Sequence, residues 1–135
     1  MRTKLIIMGI FLGLSCTAQA AETTMSKPQL EALLTGNTVY IDVPAGSPAG
    51  GPDGGVAPIR YSTDGSVAAA LPNGTKLVGR YAINGEQYCV DWDNGPQNSC
   101  TTIVKSPTGM MMFDAKAKEP RGTVNRIVPG NPENL

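Results

Sequence analysis

The sequence has no histidine, and its 135 residues include only three cysteines and 5% aromatic side chains. Without histidine, a Ser-His-Asp triad or a Cys-His pair cannot form, and the commonest general base is missing. Paired carboxylates can still hydrolyse glycosides, and Asp91 and Asp93 are the candidate pair because alternate residues of a strand share a face. We therefore expect a protein that is not an enzyme and keep glycan hydrolysis as the third hypothesis.

Charge is also scarce: 11 Lys and Arg stand against 11 Asp and Glu. These charges form no basic patch or run. Basic patches and runs are typical of proteins that bind nucleic acid or anionic membranes. Neither partner is therefore expected. No apolar run is long enough to remain as a membrane-spanning helix.

The N-terminus has the three parts of a secretory signal peptide. Arg2 and Lys4 are basic, residues 5–14 form a short apolar core, and Ala18-Gln19-Ala20 is a small-x-small cleavage site. We expect cleavage after Ala20 and a periplasmic or secreted location. Residues 21–135 then form a single β domain of about 115 residues, the usual length of one domain.

Two cysteines, Cys89 and Cys100, remain once Cys16 is removed with the signal peptide. A lipid anchor on Cys16 is not expected, because a lipoprotein box has Leu three residues before the cysteine and Leu14 lies two residues before Cys16. In an oxidising compartment Cys89 and Cys100 should form a disulfide. A redox pair is the alternative, but such cysteines are usually closely spaced at a helix N-terminus, and these are not.

A short helix is predicted to begin after Ser26. Ser26 and Gln29 have the spacing of a capping box, and Gly36 suits the left-handed position that ends a helix. The apolar side chains lie on one side of the helix, and they are Leu30, Leu33 and Leu34. Two turns are not stable alone, so we expect the helix to pack on a sheet as a lid or plug.

Eight strand-like runs follow, separated by turns rich in Asn, Asp, Gly and Pro. They are residues 38–43, 57–62, 66–71, 75–83, 86–92, 99–105, 110–114 and 122–128. We expect residues 45–55 to be a Gly/Pro-rich flexible loop or a mobile rim at the mouth of the fold, and residues 129–135 to be an irregular tail. The predicted fold class is mainly β: a small antiparallel meander or barrel of lipocalin-like size, with 7–8 short strands and one N-terminal helix. A β-sandwich is the alternative.

Asn84-Gly85 is the strongest hairpin signal in the chain. A type I′ turn there makes Tyr81 face Tyr88 and places the apolar side chains on one face; these are Leu77, Tyr81, Ile83, Tyr88, Val90 and Trp92. Gly79 should then leave room for the Trp92 ring.

The same register raises a difficulty for the disulfide. It places Cys89 in a non-hydrogen-bonded pair with Arg80, and therefore in a hydrogen-bonded pair with the next strand, at about 5.5 Å between Cα atoms. That spacing is allowed, but the Cβ directions also matter. The sequence therefore leaves open whether the bridge to Cys100 is in register, one step off register or across a bulge.

The sequence does not favour either a calcium site or a copper site. Oxygen-bearing side chains cluster after Cys89. A calcium loop beginning at Asp91 would need an oxygen ligand in place of Gly95, a glycine in place of Gln97 and a glutamate in place of Thr102. We therefore expect a polar turn. Successive methionines, residues 110–112, alternate across a strand, so at most two thioethers could converge on Cu(I). We expect no cofactor and no metal.

Four short motifs carry a resemblance to a known group of proteins. They are Leu34-Thr-Gly-Asn-Thr38, Tyr61-Ser-Thr-Asp-Gly65, Gly79-Arg-Tyr81, and Tyr88-Cys-Val-Asp-Trp92 with Cys100. Their order resembles small exported proteobacterial proteins of unknown function that share Gly-Asn-Thr, Asp-Gly, Gly-x-aromatic and Cys…Cys. The resemblance spans most of residues 30–105 and differs at Tyr81, where Trp is frequent. It implies a Gram-negative periplasmic or secreted β domain and no particular activity. The periplasmic lysozyme inhibitors are similar only in size and class, because their inhibitory loop motif is absent.

The leading functional hypothesis is a non-enzymatic binding module for a small apolar ligand, a glycan or a protein. It would use the barrel interior or the mouth near residues 45–55, with Tyr81, Tyr88 and Trp92 as candidate ligand-binding residues beside a cavity. A barrel of this size can hold one small ligand or be filled by its own side chains. The second hypothesis is therefore a structural or envelope-interaction protein with a filled core and an exposed apolar patch.

Overall fold

A computed structural model describes Gly13 and residues 21–135. The rest of the expected signal peptide, including Cys16, lies outside the described residues. The elements are β1 (Thr23–Thr24), α1 (Lys27–Leu34), β2 (Asn37–Val43), β3 (Gly55–Tyr61), β4 (Ser66–Ala70), β5 (Lys76–Asn84), β6 (Gln87–Trp92), β7 (Ser99–Ser106), β8 (Gly109–Asp114) and β9 (Pro120–Pro129). Among the described residues, no helix has the length and apolar character needed to span a membrane.

Strands β2 to β9 form a closed antiparallel barrel. Each strand pairs with its neighbours in sequence, and β9 returns to pair with β2. The predicted mainly β barrel with one short helix is confirmed, and the sandwich alternative is wrong. All eight predicted strands are present, with ends within two residues of those observed. The two-residue β1, which the sequence did not predict, pairs with β7 beyond the stretch that pairs with β6.

Helix α1 closes one end of the barrel. Its capping residue Ser26 donates its backbone N–H to Oε1 of Gln29 at 2.9 Å, which is the return bond of the predicted capping box. Leu30 and Leu34 are completely buried and belong to the main core cluster, together with residues from the barrel wall. The helix contacts β2, β5 and β6, so its apolar stripe finds the partner that a helix of eight residues requires.

Strand β2 is buried on both faces. Val39 and Ile41 point into the barrel, whereas Thr38 and Tyr40 point outward and are covered by residues 130–135, here called the C-terminal tail. The Thr38 hydroxyl donates to the carbonyl of Gly130 at 2.7 Å, and the Tyr40 hydroxyl donates to the Glu133 carboxylate at 2.6 Å. The tail therefore packs on the outer face of β2. The pairing of β2 with β9 is here called the closure seam.

The β5–β6 hairpin turns one residue later than predicted. Asn84 faces Gln87, so Gly85 and Glu86 are the central residues, and Gly85 alone of the two has a positive φ, of 66°. That is the pattern of a type II′ turn, which places glycine first, and the type I′ prediction was wrong. Tyr81 consequently faces Val90 and not Tyr88.

The predicted inner face of this hairpin nevertheless survives. The predicted and observed registers both pair odd-numbered residues of β5 with even-numbered residues of β6, so every side chain keeps its side of the sheet. Tyr88 and Val90 are in the core, and Tyr81, Ile83 and Trp92 pack against it. Gly79 faces Trp92, but a Cβ there would lie 2.2 Å from the backbone oxygen of Asp91, so the glycine accommodates backbone and not the predicted ring.

The predicted disulfide is present, and Cys89 and Cys100 face each other directly. The bridge is therefore in register, and the predicted hydrogen-bonded spacing of Cys89 to β7 was wrong because it inherited the misplaced turn. With Asn84 and Gln87 as the hydrogen-bonded pair beside the turn, Cys89 and Ala82 form another such pair, and Cys89 meets β7 in the closer, non-hydrogen-bonded spacing. The Cα atoms of the two cysteines are 4.0 Å apart.

Candidate binding cavity

A cavity of ≈ 140 Å³ lies inside the barrel, toward the end opposite α1. Its wall is mainly apolar, and the buried aliphatic side chains that form it include Ile41, Ala57, Val90 and Met112. Strand alternation explains this wall, since every second residue of each strand points inward. An apolar cavity of about 150 Å³ in another protein stays dry and binds benzene, so this space has the size of one small ring.

Residues 44–54, between β2 and β3, stand at the mouth of the cavity, where Ala49 contributes to the lining. The backbone N–H of Gly46 donates to the carbonyl of Gly51 at 2.8 Å, and the Ser47 hydroxyl donates to the carbonyl of Pro44 at 2.7 Å. The glycine and proline residues of this segment thus form successive closed turns that supply one edge of the opening.

Two of the three predicted ligand-binding residues line the cavity. Tyr88 is buried in its wall and Trp92 is half-buried there. Tyr81 does not reach the cavity, because its ring packs edge-on against Tyr61, with 5.2 Å between centroids, and its hydroxyl donates to the carbonyl of Ser62 at 2.8 Å.

Tyr61, and not the predicted Tyr81, lines the cavity beside Tyr88. It is only 1% exposed and donates its hydroxyl to that of Tyr88 at 3.2 Å. The sequence contained a signal for it, since Tyr61 shares strand parity with Ala57 and Ile59, which also line the cavity.

Arg121 is the second cavity residue that sequence reasoning missed. Its Nη1 donates to the hydroxyls of Ser99 at 2.8 Å and Thr101 at 2.9 Å, and its Nη2 donates to the carboxylate of Asp114. Ser99, Thr101 and Arg121 all line the cavity. A charged side chain is therefore fixed by hydrogen bonds in the wall of a mainly apolar cavity.

A β-bulge places Arg121 on this inner side. Met112 faces Gly122 and Phe113 faces Pro120, so Arg121 is an extra residue without a partner on β8. Bulges redirect a side chain in this way, and they are frequent beside functional sites. The neighbouring Gly122 is equally constrained, because a Cβ there would lie 2.6 Å from Cγ2 of Ile41 and 2.7 Å from the carbonyl oxygen of Asp42.

The titratable groups around the cavity have well-defined charge states. Burial raises the pKa of Tyr61 and Tyr88, and the nearby Arg121 acts only weakly against it, so both phenols stay neutral. The backbone N–H of Ala117, followed by the Arg121 guanidinium, lowers the pKa of Asp114 to about 2. Asp114 is therefore ionised at neutral pH, and its charge compensates that of Arg121.

The acidic pair of the hydrolase hypothesis lies elsewhere. Asp91 and Asp93 are exposed and neither lines the cavity. The Asp91 carboxylate accepts the backbone N–H of Asn98 at 2.6 Å, and the Asn94 side chain donates to the carbonyl of Lys76 at 3.0 Å. Residues 93–98 therefore form a polar turn that is bonded to the end of β6 and to β5.

The methionines alternate as the strand pattern requires. Met112 is buried in the core and Met110 packs against it, whereas Met111 is 40% exposed on the other face. Within residues 21–135, no group of three or more His, Cys, Asp or Glu side chains is placed to hold a metal ion. Comparison of the chain with protein-family models, with curated proteins and with solved structures gives no match, so the geometry of the cavity is the basis for a functional proposal.

Proposed function

We propose that this protein is a non-enzymatic periplasmic or secreted binding module that holds one small, mainly apolar molecule inside its barrel. The observation that carries the proposal is the cavity of ≈ 140 Å³ with an apolar wall and an opening between the loops. An eight-stranded barrel is just wide enough to be filled by its own side chains or to hold one small ligand. In this barrel, α1 and the core side chains packed against it fill one end, and the other end contains the cavity.

The size of the cavity favours one ligand class over the others. At about 30 Å³ for each water molecule, it has room for about five waters. A disaccharide or a protein segment is too large to enter, so a glycan or protein partner would have to bind outside the barrel. The interior fits one ring or a short branched chain.

The location rests on two observations. The disulfide between Cys89 and Cys100 is consistent with a non-cytoplasmic location, since such bonds persist mainly in oxidising compartments. The N-terminal residues have the basic, apolar and small-residue order of a secretory signal peptide, which supports export to the periplasm or beyond.

The alternatives have less support. A structural role with a filled core conflicts with the cavity. The exposed large hydrophobic side chains of the described residues, Val56, Val78 and Met111, stand on three separate strands that are not neighbours, so they do not form the patch that a docking surface requires. Hydrolysis by Asp91 and Asp93 has less support. Among the described residues, Asp93 lines a pocket beside Arg60 and Arg80, whereas the Asp91 carboxylate accepts the backbone N–H of Asn98.

Trp92 provides the assay, because it is the only tryptophan of the chain and lines the cavity. We expect toluene to bind saturably and to change the Trp92 fluorescence. Ala57→Leu should fill the space and weaken toluene binding by at least about tenfold, since a packed site has no volume for the ring. Ala68 points outward on β4, so Ala68→Leu adds the same atoms outside the cavity and should bind toluene like the wild type.

Circular dichroism and thermal unfolding would first establish that both variants fold. Equal toluene affinity of a folded Ala57→Leu variant and the wild type would exclude the interior as the site. A wild-type protein that binds neither toluene nor benzene would end the proposal altogether.

A further inference from the structure

The polar groups of the cavity form one continuous strip, which we call the polar strip. It consists of Tyr61, Tyr88, Thr101, Arg121 and Ser99, all of which line the cavity. The two phenol hydroxyls are 3.2 Å apart, Tyr88 and Thr101 face each other on β6 and β7, and Arg121 bonds both Thr101 and Ser99. The rest of the wall is apolar, so a bound molecule would meet hydrogen-bonding groups only along this strip.

The polar strip offers donors at its Arg121 end. A guanidinium has five N–H groups and no acceptor. Three hydrogen bonds from Arg121 go to partners within residues 21–135, two from Nη1 and one from Nη2. The Nε–H and one Nη2–H have no partner among the described residues. Arg121 lines the cavity and its side chain is 33% exposed, so the guanidinium group stands between the cavity and solvent.

The net charge of the Arg121–Asp114 pair determines whether a charged or an uncharged ligand oxygen is favoured. Asp114 is ionised and already pairs with Arg121. A carboxylate ligand would bring a second negative charge to a neutralised pair, and it would lose its own hydration without gaining a full opposite charge. An uncharged acceptor oxygen can take the remaining N–H groups without that penalty.

We propose that the cavity is selective for small uncharged molecules that join an apolar body to a carbonyl oxygen, as ketones, aldehydes and esters do, with the oxygen held by Arg121 at the mouth. The apolar body lies against the aliphatic wall, and the carbonyl points outward. This inference rests on the proposed binding function and specifies its ligand class.

Three probes with the same number of non-hydrogen atoms test the selectivity by isothermal titration calorimetry: acetophenone, cumene and benzoate. Acetophenone should bind about tenfold more tightly than cumene, the factor expected from one net hydrogen bond to a charged donor. Benzoate should bind more weakly than acetophenone.

Two variants identify the group responsible. Arg121→Met removes the donors and keeps an unbranched side chain, so it should abolish the preference of acetophenone over cumene. Arg126 is on the same strand but stacks outside on the Tyr40 ring at 4.0 Å, so Arg126→Met should keep the preference. Asp114→Asn removes the compensating charge and should raise the affinity for benzoate several-fold.

The outcomes separate this inference from the proposed function. If acetophenone and cumene bind wild type equally, the interior binds apolar molecules but the carbonyl selectivity is wrong. If benzoate binds wild type most tightly, the cavity takes anions and the proposed ligand class is overturned. If none of the probes binds, the proposed function fails as well. The wild-type ranking is decisive even if a variant does not fold.

Discussion

Removing the disulfide is the most informative perturbation of this barrel. Cys89 and Cys100 lie on the outer face, directly behind the part of β6 and β7 that lines the cavity: the flanking pairs are Tyr88 with Thr101 and Val90 with Ser99. These three pairs are the whole β6–β7 ladder, whereas the β2–β3 ladder has seven. The bridge thus reinforces one of the shortest ladders of the barrel at the wall of the cavity.

The loss of stability follows from the length of the closed loop. The cysteines are 11 positions apart in sequence. In the chain-entropy model, a loop of about 12 residues corresponds to about 3 kcal/mol of stabilisation at room temperature. With a urea m-value of about 1–3 kcal/mol/M for a small domain, the urea midpoint should fall by about 1–3 M.

The assay compares two routes to the same state. Urea unfolding, followed by circular dichroism, is measured for the Cys89→Ser/Cys100→Ser double variant and for wild type reduced with dithiothreitol. Both should lose the same free energy of unfolding. Hydrogen exchange should also show faster opening of β6 and β7 than of β2 and β3, because the short ladder has lost its cross-link.

Two results would refute this reasoning. A loss below about 1 kcal/mol in both samples would mean that the cross-link does not constrain the unfolded chain as the model requires. A large loss in the double variant with almost none in the reduced wild type would assign the effect to the serine side chains and not to the bridge.

Two further predictions concern β9 and its partner Asp114. Gly122→Ala should lower the free energy of unfolding by about 1–3 kcal/mol, because its Cβ would overlap Ile41 and the backbone of Asp42. Gly95→Ala is the control and should lower it less, because the nearest neighbour of its Cβ is Cβ of Trp92 at 3.2 Å. Urea unfolding of both variants checks this difference. Asp114 has a folded-state pKa of about 2 against a reference value of 3.8, so its contribution to stability is complete above about pH 4 and is lost as the pH falls through about 2. Asp114→Asn should therefore lose less stability than wild type when the pH is lowered from about 5 to about 2, and equal losses in urea midpoint would contradict this.

The parts of the fold that depend on local sequence were predictable. The helix with its capping box, the turns and the strands are each encoded by a few consecutive residues, and alternation alone assigned the inner face of the β5–β6 hairpin. The turn error arose because Asn84-Gly85 fits two hairpin geometries that differ in which residue comes first. Its effect spread to the disulfide, whose pairing geometry follows from the position of that turn.

The cavity was less accessible to sequence reasoning. Tyr88 and Trp92 were found from alternation, but Arg121 breaks the alternation, since a bulge against β8 turns it inward. Where an extra residue is accommodated depends on pairing between two strands and not on either strand alone. Pro120-Arg-Gly122 has no local pattern that reveals it.

The closure seam also determines when the cavity can form during folding. All other strand pairs of the barrel join sequence neighbours, but β2 and β9 are brought together from opposite ends of the chain, and the Thr38 to Gly130 hydrogen bond spans 92 positions. Bringing such distant segments together has an entropic penalty of about 4 kcal/mol. The hairpins can therefore form early, whereas the cavity, with Ile41 on β2 and Arg121 on β9, needs both ends of the sheet. The cavity should therefore form only in the final step of folding, and a chain that ends before β9 should lack it.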